Sequence, residues 1–230
     1  MARQMSFRKS IRLFLSLAFL SISLTTYGGL RKHTTILPLG DSITQGSGGC
    51  TSYTLPLRKM LLDAGYDVEL VGPRANVYDF GEIRHGGFSG RTVEFLEERI
   101  DTLYKKYPAD IVLIHSGHNH FVEEDPVPGM IAAHRSMIDK ILDQNPDAWV
   151  FVAQVIPSGK LPKYSYIPDF NREVKKLVRS YHSRHVRLVN VAHGFDWQIY
   201  TLDDKVHPNE KGAALMAKTW FKAIKPFIKR

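Results

Sequence analysis

Five short runs of apolar and β-branched residues punctuate the chain, and the near-continuous hydrophobicity of four of them limits what it can fold into. They are TTILPL (34–39), DVELVG (67–72), DIVLIHS (110–116), WVFVAQVI (149–156) and VRLVNV (186–191). A strand with one wet face alternates apolar with polar residues, whereas an unbroken apolar run fits a strand covered on both faces. Between and after these runs lie stretches that read as helices, at 53–64, 92–106, 129–144, 169–182 and 209–228. Strand, helix and strand repeated in this way specify right-handed crossovers, and hence a parallel sheet with helices on both sides.

The expected architecture is α/β, a three-layer sandwich around a five-stranded parallel sheet in the flavodoxin-like order 2-1-3-4-5. Ligands of such sheets sit beyond the carboxyl ends of the strands, where the strand order reverses. That point falls just after the first run, at LPLGDSITQG (37–46), where Ser42 lies in a glycine-flanked turn. Two long stretches without helical or strand patterning, 72–91 and 156–168, also follow strand carboxyl ends, and loops of that length in a compact domain are usually functional.

The chain has 230 residues, 43% hydrophobic and 23% charged, which fits one globular domain over 29–230. The first 28 residues stand apart. Arg3, Arg8, Lys9 and Arg12 precede the apolar LFLSLAFLSISL (13–24), and small residues follow up to Gly28. This is the pattern of a secretory signal peptide; the apolar stretch is shorter than the roughly 20 residues a spanning helix needs. Export to a periplasm, a cell surface or the medium is expected, with no stable membrane span after cleavage. Residues 1–28 hold four basic and no acidic residues, so without them 27 basic face 23 acidic residues and the net charge falls from +8 to +4. With neither a dense basic stripe nor interleaved aromatics, nucleic acid is not an expected partner. The single Cys50 has no intrachain disulfide partner and no neighbour spaced to activate it.

A serine hydroxyl becomes an effective nucleophile when an imidazole takes its proton and a carboxylate orients that imidazole. Of the ten histidines, His207 alone follows an acid closely in a loop that opens a helix, TLDDKVHPNEKG (201–212). Asp204 is three residues upstream, Pro208 keeps His207 out of helical geometry, and Asn209 is the expected cap. Acyl transfer also needs donors for the developing oxyanion. GGFSGR (86–91) offers a backbone N–H where a missing side chain allows close approach, and SGHNH (116–120) offers an amide side chain just after the third strand.

Gly-Asp-Ser, a Ser-Gly turn, a Gly-x-Asn turn and Asp-x-x-His occur here in that order. This arrangement resembles the SGNH hydrolase superfamily, the GDSL esterases and lipases, across essentially all of the chain after residue 28. The resemblance implies Ser42 as nucleophile, His207 as general base and then acid, and Asp204 as its orienting partner. It implies an oxyanion hole from the Ser42 N–H, Gly90 and Asn119, with Asp41 a structural hydrogen-bonder. No cofactor and no metal are implied; the local cluster of His115, His118 and His120 reads as loop bonding and site lining. One residue departs from the pattern: the third block usually reads Gly-x-Asn-Asp, and His120 stands here in place of the acid.

Within the superfamily, LPLGDSIT, HGGFSGRT and the compact length look most like the carbohydrate esterases that deacetylate xylan and related polysaccharides. The expected substrate is therefore an acetylated oligo- or polysaccharide, with Tyr164, Tyr166, Trp197 and Tyr200 as candidate sugar-stacking residues. Two alternatives stay open: an acyl hydrolase of the lysophospholipase or thioesterase kind, and a glycan-binding relative that has lost its chemistry.

Overall fold

The computed structural model describes residues 33–46 and 49–229. The proposed signal peptide, 1–28, lies outside them. Among the described residues no helix is long and apolar enough to cross a membrane.

Seven strands form one sheet: β1 (Thr34–Gly40), β2 (Val68–Leu70), β3 (Arg74–Tyr78), β4 (Gly81–Gly87), β5 (Ile111–His115), β6 (Trp149–Gln154) and β7 (Val186–Asn190). The parallel pairs run β2-β1-β5-β6-β7. β1 pairs with β2 over Thr34–Ile36 and with β4 at Leu39 and Gly40, so its neighbour on that side changes halfway along. Pro38 falls in the gap between those two partners, where the N–H it lacks is not needed for a ladder.

The seven strands correct the expectation of five. Stretch 72–91, read as irregular, holds β3 and β4, an antiparallel hairpin with Tyr78 opposite Gly81. Its strands carry no continuous apolar run because no residue of β3 is buried, with Val77 75% exposed, and β4 alternates exposed with buried residues until its last three enter the interior.

The helices are α1 (Ser42–Gln45), α2 (Thr54–Asp63), α3 (Val93–Glu97), α4 (Ile100–Lys106), α5 (Val127–Gln144), α6 (Ile167–Ser180), α7 (Trp197–Tyr200) and α8 (Glu210–Ile224). The stretch read as one helix over 92–106 is divided into α3 and α4. Helices cover both faces, and the strand period explains the unbroken apolar runs. Along β5, Val112 and Ile114 enter the core shared with α3 to α6, while Ile111 and Leu113 enter the core shared with α2 and α8. Each face therefore takes alternate residues of a single hydrophobic run. The loops leaving the carboxyl ends of β1, β4, β5, β6 and β7 are left to build the site.

Candidate active site

At the end of β1 the chain turns directly into α1, a single helical turn. Asp41 caps it, accepting the Ile43 N–H at 3.0 Å, and Gly46, at φ +78°, closes it by donating to the Ser42 carbonyl at 2.8 Å. Ser42 is thus the first helical residue, where N–H groups have no partner inside the helix. Gly40 makes the tight exit possible: a Cβ there would stand 2.2 Å from the His115 carbonyl and 2.3 Å from Thr44 Oγ1.

The partner loop is built by Asp204. Its Oδ1 accepts the N–H groups of Val206 at 2.9 Å and His207 at 3.0 Å, and its Oδ2 accepts from His207 Nδ1. Lys205, at φ +61°, makes the turn that brings these together, and Leu202 N–H donates to the His207 carbonyl at 2.8 Å. An ionised carboxylate only accepts, so the proton lies on Nδ1 and Nε2 has a free lone pair. That nitrogen is 2.8 Å from Ser42 Oγ. Burial alone would raise the Asp204 carboxyl; His207 and the two backbone donors outweigh it and hold the group below its ordinary range. Asp41 follows the same pattern in a fully buried setting, with the nearby His118 and His115 and the Ile43 N–H outweighing desolvation.

The two loops expected to supply oxyanion donors adjoin this line. Gly90 has φ +72° and Asn119 φ +70°, the left-handed region in both cases. Asn119 Nδ2 donates to the Arg91 carbonyl at 3.1 Å, which ties one loop to the other and leaves the second amide hydrogen free to turn elsewhere. Ser89 N–H donates to Gln45 Oε1 at 2.8 Å, so α1 holds the Gly90 loop as well. Residue patterning had not marked Gln45, because its partner is 44 residues away in sequence.

His120, at the departure from the family's third block, has Nε2 3.1 Å from Glu94 Oε2 and Nδ1 3.7 Å from Glu124 Oε2. Cys50 lies close by, its Sγ 3.9 Å from the Ser42 carbonyl, but burial, with Asp204 and Asp41 adding to it, pushes the thiol up to about 12. It stays protonated and is no rival nucleophile.

The four aromatic candidates divide. Tyr164 and Tyr166 are only 5% and 4% exposed and belong to the core, and the Tyr166 hydroxyl donates to the Gly117 carbonyl at 3.0 Å. They therefore correct the expectation of open stacking faces: the rings are already packed. Trp197 and Tyr200 are partly exposed on and around α7, with the indole against Gly159 and the Lys205 ammonium 5.8 Å from its ring.

Comparison with known proteins finds relatives of the chain. The model of the GDSL-like Lipase/Acylhydrolase family matches residues 39–215. A multidomain esterase of Ruminococcus flavefaciens is 28% identical over 84% of this chain; the match spans only 29% of that relative's length. A family 3 carbohydrate esterase of Clostridium thermocellum superposes with a TM-score of 0.75 at 25% identity, covering 85% of this chain and 97% of its own. A carbohydrate esterase family 3 structure from Talaromyces cellulolyticus shares the fold at the same TM-score, with 22% identity over 84% of this chain and 97% of its own.

Proposed function

Because the chain belongs to the GDSL-like lipase/acylhydrolase family, we propose that it is an exported serine esterase that removes acetyl groups from carbohydrates. The observation that carries this reading is the hydrogen-bonded line from Ser42 Oγ through the His207 imidazole to the Asp204 carboxylate. Ser42 Oγ attacks the ester carbonyl as its proton passes to His207 Nε2, and Asp204 stabilises the imidazolium that forms. The Ser42 and Gly90 N–H groups and the free Asn119 amide hydrogen receive the oxyanion. His207 then protonates the departing sugar oxygen, leaving acetyl-Ser42. A water that gives its proton to His207 attacks this ester, and His207 returns that proton to Ser42 Oγ as acetate leaves. The cycle needs no cofactor.

The carbohydrate substrate is supported by the likeness to family 3 carbohydrate esterases and by the partly exposed Trp197 and Tyr200. Export rests on the signal-like pattern of residues 1–28. The test is hydrolysis of p-nitrophenyl acetate and butyrate, and then of acetylated xylan, by wild type and Ser42→Ala. The expected outcome is acetate-preferring turnover that Ser42→Ala abolishes, with acetate released from the polymer. Turnover that survives Ser42→Ala would overturn the serine mechanism, and a preference for long acyl chains would move the substrate to lipids.

A further inference from the structure

Three consecutive side chains after β5 reach three different parts of the site. His118, 1% exposed, sets Nδ1 3.7 Å from Oδ2 of Asp41, the cap of α1. Asn119 donates to the Arg91 carbonyl. His120, 8% exposed, places Nε2 3.1 Å from Glu94 on α3 and Nδ1 3.7 Å from Glu124 in the 3-10 turn Val122–Glu124. Its ring stands edge-on to Tyr166, at 6.4 Å and 89°. Both imidazole nitrogens thus face carboxylates while the ring is enclosed.

Glu94 is four residues beyond Gly90, on the helix that the Gly90 loop enters. The His120–Glu94 contact and the Asn119–Arg91 bond consequently join the same two segments, the ones that carry Gly90 and Asn119. Of the two histidine contacts, His120–Glu94 is the shorter, an ion pair at hydrogen-bonding distance but without hydrogen-bond alignment, and His118–Asp41 is too long for a hydrogen bond. Asn119 between them has φ +70°, the left-handed region, which Asn adopts more readily than most side-chain-bearing residues.

We infer that His120 is a positioning residue: through Glu94 it fixes the separation of the Gly90 and Asn119 oxyanion donors. This rests on the serine-esterase reading above. A surface ion pair contributes little by itself, and Glu94 is half-exposed. The effect of this contact is geometric, and donors act through their distance from an oxygen that is charged only in the transition state. The Glu94 side also supplies a constant charge: burial would raise its carboxyl, but the contact with His120, aided by the Glu94 N–H and Thr92, brings it down to about 2.

Hydrolysis of p-nitrophenyl acetate and binding of a small alkylboronic acid, which accepts the Ser42 oxygen to become a tetrahedral anion, test this in His120→Gln, Glu94→Gln and the double variant. The expected result is a loss of kcat of about tenfold or more in each single variant, with KM within about twofold of wild type. Boronate affinity falls in parallel, acetate affinity does not, and the double variant is no worse than the poorer single one. Glu94→Gln alters a half-exposed side chain and keeps its shape, so it decides the matter even if His120→Gln fails to fold. A kcat and a boronate affinity within about twofold of wild type in folded Glu94→Gln overturn the inference. Wild-type protein without Ser42-dependent turnover would sink the esterase reading and this inference with it. That failure shows before any change at 94 or 120 is compared.

Discussion

At Asp204 one carboxylate shapes a turn and orients an imidazole. Its two backbone acceptor bonds fold the loop, and the other oxygen keeps the proton of His207 on Nδ1. Asp204→Asn retains the size but removes the charge and presents an N–H where an acceptor is needed, favouring the wrong tautomer. The expected result is a loss of kcat of about a thousandfold or more toward p-nitrophenyl acetate, with a lowered thermal midpoint from the lost charge. A variant within tenfold of wild type would mean that His207 is oriented by something else. The three residues of this line were legible in the sequence because each lies in a short local motif with its own chemistry. Tyr164 and Tyr166 show the limit of that kind of reading. An aromatic in a loop has the same letter whether its ring faces a sugar or fills the core, and burial is decided by residues far away in sequence.

At the scale of elements, the site depends on how closely β1 and β5 approach beneath α1. Gly40 is the residue that permits it: its Cα pairs with His115, and a methyl group there would overlap the His115 carbonyl and Thr44 Oγ1. Gly40→Ala must part the strands or shift α1. The expectation is a destabilisation of about 1–3 kcal/mol by chemical denaturation, typical of forced overpacking. A fall in kcat should accompany it, since Ser42 Oγ moves relative to His207. Unchanged stability and rate would show that α1 can shift without consequence. The β3–β4 hairpin was the element the sequence concealed. Its residues mix exposed with buried positions and carry no continuous apolar run, yet its Asn76 side chain donates to the Gln45 carbonyl at 2.8 Å, and its last glycines bring β4 beside β1. Such an edge is stabilised by its contacts to the rest of the sheet, which local propensity does not encode.

For the whole molecule, the buried histidines give the fold a pH limit. Burial pushes His85, His115 and His134 each from 6.5 down to about 4. As the pH falls below 6.5 the unfolded chain takes up protons at these positions while the folded one does not, so stability is complete above that value and is lost toward pH 4. Each extra proton bound by the unfolded chain costs about 1.4 kcal/mol per pH unit. The thermal midpoint is therefore expected to drop steadily between pH 6.5 and 4.5, before the depressed carboxyls of Asp41, Asp204 and Glu94 add their own loss at lower pH. A midpoint level across that window would mean that the folded protein charges these imidazoles freely. The sequence by itself determined the layered α/β architecture and the Ser42, Asp204 and His207 candidates. Runs buried on both faces and motifs a few residues long carry their information locally. Only the tertiary structure decided that β1 changes neighbour from β2 to β4, that Gln45 and Glu94 reach loops 44 and 26 residues away, and which aromatics stay open. Those outcomes depend on contacts between segments that meet only after the chain has folded, where the packing of one side chain is set by neighbours that no local pattern names.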